Sequence, residues 1–231
     1  MIEHEIIPLF GQQWWAGNAP TVVVVFLFLI LGKRLNGVWL HKTTFILGGF
    51  LLSVAILSHP YQLALGRWSL QSSLPLQMCA ISALLSGLLL LFKRQWMYEI
   101  VYFWGIPGAF HSLMTPEFTL GTDGLFFIEY FVSHGGIILS ALWVTLLYKM
   151  KPRKGSWWKI FLWSQLLLPI VGSLNWLLDA NYMYICAPPS VENPFLVGEF
   201  PYHLIGLELA GLLHFAIVYL PFGIQYRKKK N

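Results

Sequence analysis

An all-α bundle of about seven transmembrane helices is the fold class this sequence predicts, and three observations predict it. Of 231 residues, 57% are hydrophobic and only 11% are charged, a balance that no soluble domain of this size needs for one core. Seven apolar stretches approach the ~20 residues a helix needs to cross a hydrocarbon layer about 30 Å thick. In a chain that crosses seven times, every Lys and Arg except Arg67 falls on the same side.

The stretches run approximately over 15–32, 43–61, 74–92, 97–114, 125–148, 157–178 and 202–226. The first three and the fifth carry long Leu, Val, Ile and Phe runs. The fourth contains Glu99, Gly105, Pro107, Gly108 and His111, groups that a bundle interior can satisfy where lipid cannot. The start, MIEHEIIPLF, has two acids and no Lys or Arg, whereas a cleavable signal peptide begins with a basic region, so its removal is not expected. With no repeat, no low-complexity linker and no long polar stretch, residues 1–231 read as a single membrane domain.

Charge orients the bundle. Lys33, Arg34 and Lys42 fall in the first loop, Lys93 and Arg94 in the third, five basic residues from Lys149 to Lys159 at the fifth, and Arg227 to Lys230 in the tail. The positive-inside rule places these segments and the C-terminus in the cytoplasm and the N-terminus outside. The net charge of +5 then reflects this asymmetry and attraction to anionic lipid headgroups, and the tail reads as a membrane-surface anchor rather than a nucleic-acid contact.

Depth follows from topology. At 1.5 Å per residue, Cys79 is expected about 8 Å below the outer end of the third span and His134 about 13 Å below that of the fifth. His59, His111, Glu129, Asn175, Asp179, His203 and Glu208 also fall in the outer half, and Glu99 near the cytoplasmic end. Ionisable groups inside a bilayer cost at least ~2.5 kcal/mol each in the worst cases, so a group of them faces a cavity or one another. A polar chamber opening outward is the expectation.

Helical spacing lines that chamber. Cys79, Ser82, Ala83 and Ser86 share one face of the third span, following i, i+3, i+4, i+7. Glu129, Ser133, Gly136 and Ser140 form a stripe on the fifth, with Tyr130 and His134 on the adjoining arc. Gln165, Gly172, Asn175 and Asp179 line the sixth. Cys79 with His134 is the pair able to do nucleophilic chemistry, because an imidazole can accept or offset the thiol proton. The bland alternatives are a packed thiol with a histidine bonded to a backbone carbonyl, or a disulfide between Cys79 and Cys186, which would need the outer loop to fold into the bundle.

Four stretches, LPLQMCAIS, FVSHGG, NWLLDANYMYICAPP and FPYHLIGLELAGLLHF, resemble the YwaF-like integral membrane family, related to animal transmembrane protein 164. The likeness covers nearly the whole chain from the second span onward, and the Asn-Tyr-Met-Tyr segment with the prolines after it is its most specific part. The animal relative is an acyltransferase that moves fatty acyl groups between glycerophospholipids through a cysteine and a histidine, and is more distantly related to the androgen-induced-protein lipid hydrolases. The resemblance implies Cys79 as nucleophile, His134 as its base, a membrane phospholipid or other acyl lipid as partner, no cofactor, and a place in the bacterial inner (cytoplasmic) membrane. The residues around the thiol, Gln77-Met78-Cys79-Ala80, depart from the Cys-His order of the animal motif.

On that reading Cys79 attacks an acyl ester and His134 carries the proton. Asn175 or Gln77 could stabilise the oxyanion, Glu129 or Asp179 could orient the histidine, and His203 and Glu208 are further supporting candidates. The outer loop 181–201 could cover the chamber. A transporter or receptor using the same chamber without covalent chemistry is the rival class. A metal or haem site at His111, His134, His203 and His214 finds no tight spacing such as His-x-x-x-His, so no metal is expected.

Overall fold

The computed structural model describes residues 5–191 and 198–228. Residues 192–197 of the expected outer cover, Lys229 and Lys230 of the basic tail, and the first four residues lie outside them. The described chain is all-α apart from a two-residue antiparallel bridge between β1 (Glu5–Ile6) and β2 (Glu117–Phe118). Packing divides it into two compact units, Met1–Trp68 with Met78–Met150, and Ser69–Gln77 with Lys151–Asn231.

In the first unit α1 (Gln12–Arg34) ends on Lys33 and Arg34, cations placed against the negative end of the helix dipole. α2 (Gly37–Ala64) starts where the Asn36 side chain accepts from the Trp39 amide at 3.1 Å, a common N-cap. α3 is Met78–Phe92. Residues 95–114 are helical throughout, as α4 (Gln95–Ile100), a π turn (Val101–Gly105) and α5 (Ile106–Met114). The π turn has a local cause, because Pro107 has no N–H to give to the carbonyl of Phe103 and the ladder shifts register there. α6 (Phe126–Leu147) lies against α1, α2, α3 and α5.

Small residues let these helices approach. A Cβ on Gly32 would stand 2.6 Å from Leu147 Cδ1, and one on Gly17 would collide with the Phe131 ring. Buried polar groups then tie the helices together: Trp143 Nε1 donates to Thr44 Oγ1 at 2.9 Å, and Asn18 Nδ2 to the Leu113 carbonyl at 2.9 Å. At one end, Glu5 pairs with Phe118, Glu5 Oε2 accepts from Thr122 Oγ1 at 2.8 Å, and Arg67 meets Asp123. Lys93 lies over the Tyr148 ring at the other.

In the second unit α7 (Ser156–Gln165) and α8 (Leu167–Leu178) form one 23-residue apolar stretch interrupted at Leu166. Pro169 again supplies the reason, since it cannot donate to the Gln165 carbonyl. A 3₁₀ turn (Tyr182–Tyr184) follows, and α9 (Tyr202–Lys228) packs against α7.

Among the described residues, five helical segments are long and apolar enough to cross a membrane: Gln12–Arg34, Gly37–Ala64, Phe126–Leu147, Ser156–Leu178 and Tyr202–Lys228. Ile205, Leu209, Ile217 and Ile224 of α9 are exposed, a surface suited to lipid and costly in water. The third expected span differs from its sequence reading. It was expected from residue 74, but the helix begins only at Met78. Residues 70–77 are held in turns by side chains instead: the Leu74 amide donates to the Tyr182 hydroxyl at 2.9 Å, which donates to the Leu70 carbonyl at 2.8 Å.

Candidate functional site

The late start of α3 moves Cys79. It occupies the first helical turn rather than lying about five residues into a span, and its side chain is half-buried. Ser82, Ala83 and Ser86 of the same face are buried, as the i, i+3, i+4, i+7 spacing predicts, and the Ser82 and Ser86 hydroxyls have no hydrogen-bond partner among the described residues.

The thiol faces α5. Cys79 Sγ lies 3.7 Å from Ser112 Oγ, within sulfur hydrogen-bond range, and a Cβ on Gly108 would stand 3.3 Å from the same sulfur. The Ser112 carbonyl accepts from the Tyr130 hydroxyl at 2.8 Å. Tyr130 in turn packs against His134 with its ring tilted, centroids 4.3 Å apart and planes at 43°. Cys79, Ser112, Tyr130 and His134 thus follow one another across α3, α5 and α6, the phenol bonding the main-chain carbonyl of the serine and not its hydroxyl. Among the described residues the hydrogen-bond partner of the thiol is Ser112, not His134.

His134 is buried, and its Nδ1 lies 2.7 Å from the Tyr130 carbonyl. A carbonyl can only accept, so Nδ1 carries the proton and Nε2 is left as the basic nitrogen. The group that orients His134 is therefore a main-chain carbonyl, where a Glu129 or Asp179 carboxylate was a sequence expectation. Glu129 is half-buried in the first turn of α6, an acid at the positive end of the helix dipole. Asp179 is exposed and ends α8 in the left-handed region, φ 52°.

The remaining candidates lie in the second unit, where four of them bind the chain itself. Asn175 Nδ2 donates to the Tyr182 carbonyl at 2.9 Å while its Oδ1 accepts from the Tyr182 amide at 2.8 Å, the pairing a β-bridge would make. Gln77 Oε1 accepts from the Met183 amide at 2.8 Å. His203, fully buried, donates from Nε2 to the Tyr184 carbonyl at 2.8 Å. Glu208 accepts from Gln165 Nε2 at 2.7 Å. These bonds hold Met183 and Tyr184 at φ 58° and 53°, conformations that non-glycine residues adopt only under constraint. The Asn-Tyr-Met-Tyr segment is thus a wound loop whose polar side chains fix its backbone.

Cys79 and Cys186 are both thiols, Cys186 exposed. Among the described residues no three His, Cys, Asp or Glu side chains converge as a metal site would require. His214 Nδ1 sits 2.6 Å from the Ala210 carbonyl, and His59 accepts from Trp68 Nε1 at 3.3 Å. In the first unit α1, α2 and α6 enclose an open groove of about 440 Å³ lined by Val24, Phe28, Phe50, Phe131 and Leu139 among others, with no charged side chain.

Sequence reasoning passed over Ser112 and the role of Gly108. The signal was present: Gly105, Gly108 and Ser112 follow i, i+3, i+7, the same small-residue spacing that marked Cys79, Ser82 and Ser86.

An all-α membrane protein with a cysteine, serine, tyrosine and histidine in succession between its helices is the class that fold and site define. The chain belongs to the TMEM164 family, whose model matches residues 9–219. No curated protein and no solved structure matches it.

Proposed function

We propose that this protein is a membrane-embedded lipid acyltransferase or acyl hydrolase that works through an S-acyl intermediate on Cys79. The observation that carries the reading is the position of the thiol, half-buried at the start of α3 and joined through Ser112 and Tyr130 to a histidine whose Nε2 can take a proton. Membership of the TMEM164 family supports it, and the likeness to YwaF-like proteins and to lipid hydrolases belongs to the same reading.

The Cys79 proton passes to His134 Nε2, the thiolate attacks an ester carbonyl, and the new C–S bond replaces the C–O bond of the ester. His134 returns the proton to the departing alcohol. A lyso-lipid hydroxyl then takes the acyl group, or water releases it as a fatty acid. The substrate is a membrane phospholipid or another acyl lipid, and no metal or cofactor is needed for these steps. Seven crossings, with α3 and 95–114 completing the five long spans, put the thiol at the outer leaflet, the C-terminus in the cytoplasm, and the basic loops against anionic headgroups of a bacterial cytoplasmic membrane.

Lipid mass spectrometry on membranes with and without the protein tests the reading. The wild type should change the acyl composition of a lipid class and Cys79→Ala should not; identical lipids in all three membranes would refute it. A lipophilic activated ester should label the wild type, and hydroxylamine should remove the label as a thioester. The apolar groove between α1, α2 and α6 favours one alternative, a binding or transport protein for an apolar ligand. That protein would leave the covalent lipid species unchanged.

A further inference from the structure

Gly108 and Ser112 are four residues apart on α5 and so stand one above the other on a single face. The Cys79 sulfur meets both, with Ser112 Oγ at 3.7 Å and the position of a Gly108 Cβ at 3.3 Å. One turn earlier Gly105 continues the face, its Cβ position 3.7 Å from that of Ser82. Because the Ser112 carbonyl is held by the Tyr130 hydroxyl at 2.8 Å, the serine has its backbone pinned to α6 and its hydroxyl directed at the thiol.

We propose that the Gly108–Ser112 face is the seat of the reactive sulfur, with Ser112 a catalytic residue that donates its hydroxyl to Cys79 as the thiol ionises. The inference rests on the reading of Cys79 as an acyl nucleophile. A thiol can either give or accept a hydrogen bond with a serine, but a thiolate has no proton and only accepts, so ionisation turns the contact into a charge-assisted bond. When the S-acyl group forms, the sulfur loses its charge and the bond weakens. Ser112 exchanges no proton: that travels from Cys79 to His134 and on to the leaving alcohol. Gly108 contributes the absence of a side chain, which lets the sulfur settle against the helix. Tyr130 is a positioning residue, joining the seat to the ring of the base.

The test is the rate of thioester formation on the full-length protein with a long-chain p-nitrophenyl ester, measured across probe concentrations. Ser112→Ala should lower the maximal rate roughly tenfold to a hundredfold, the size of a lost hydrogen bond to a charge, with little change in the half-saturating concentration. Ser112→Thr keeps the hydroxyl and should recover most of the rate. Gly108→Ala should slow labelling with Ser112 intact. A maximal rate in Ser112→Ala equal to wild type overturns the proposal, as does a Thr variant no faster than Ala. If Ser112→Ala does not fold, Gly108→Ala decides, and labelling at the wild-type rate overturns the seat. A wild type that takes no label at all overturns the nucleophile reading and the seat with it.

Discussion

Gly48 of α2 and Gly87 of α3 meet backbone to backbone: a Cβ on Gly87 would stand 2.9 Å from the Gly48 carbonyl oxygen and 2.8 Å from the Leu52 nitrogen. Backbone cannot step aside as a side chain can. Gly87→Ala should therefore destabilise the protein by about 1–3 kcal/mol, the usual cost of overpacking. Gly49, next to Gly48, has nothing among the described residues within 4 Å of its Cβ position, and Gly49→Ala should be neutral or stabilising by up to about 1 kcal/mol. Thermal unfolding in detergent compares the two, and equal shifts would mean the crossing is not where the helices touch.

The loop after α8 depends on Tyr182 and Asn175. Tyr182→Phe strands the Leu70 carbonyl and the Leu74 amide, and Asn175→Ala strands the Tyr182 main chain. Asn175→Ala should cost about 1–3 kcal/mol, the penalty of a buried polar group left unpaired, and Tyr182→Phe, whose partners are only part-buried, about 0.5–1.5 kcal/mol. Proteolysis near residue 182 should accelerate in both. A loss of acyl turnover in Asn175→Ala with unchanged stability would instead assign the amide to the oxyanion.

Arg67 and Asp123 form a two-pronged ion pair at 2.5 and 2.8 Å, and Arg67 also donates to the Leu120 carbonyl at 2.9 Å. The guanidinium holds the Asp123 carboxyl below its ordinary range. A carboxyl whose folded pKa is depressed contributes above the unfolded value, and that contribution fades as pH falls through the folded one. The clasp should thus be fully formed at neutral pH and open only at a pH beneath the ordinary aspartate range of about 4. Amide exchange in residues 117–124, corrected for its intrinsic pH dependence, should rise there in the wild type. Arg67→Gln should show no such step; the same step in both would acquit the ion pair.

Orientation can be read from a native residue. Exposed Cys186 should react with an impermeant maleimide in intact cells if residues between α8 and α9 face outward. Lys154→Cys in a Cys186→Ser background should react only after permeabilisation. The reverse pattern would invert the bundle and move Cys79 to the cytoplasmic leaflet.

Hydropathy is local and additive, which is why the apolar segments and the all-α class were legible before any contact was known. Family membership was legible for the same reason, through short runs such as NWLLDANYMYICAPP. Periodicity also reported the buried side of α3 correctly at Ser82, Ala83 and Ser86. It could not report where α3 begins, because the competitor for the Leu74 amide and the Leu70 carbonyl is a hydroxyl on Tyr182, more than a hundred residues away. Nor could residue type tell which polar side chains are already engaged. Gln77, Asn175 and His203 bind main-chain groups of one loop, whereas Ser112, passed over in the sequence, reaches the thiol. A hydrogen bond takes whichever partner the packing delivers, so the sequence determined the solvent, the helices and their small-residue faces, and tertiary structure alone decided that the thiol of α3 meets the serine of α5.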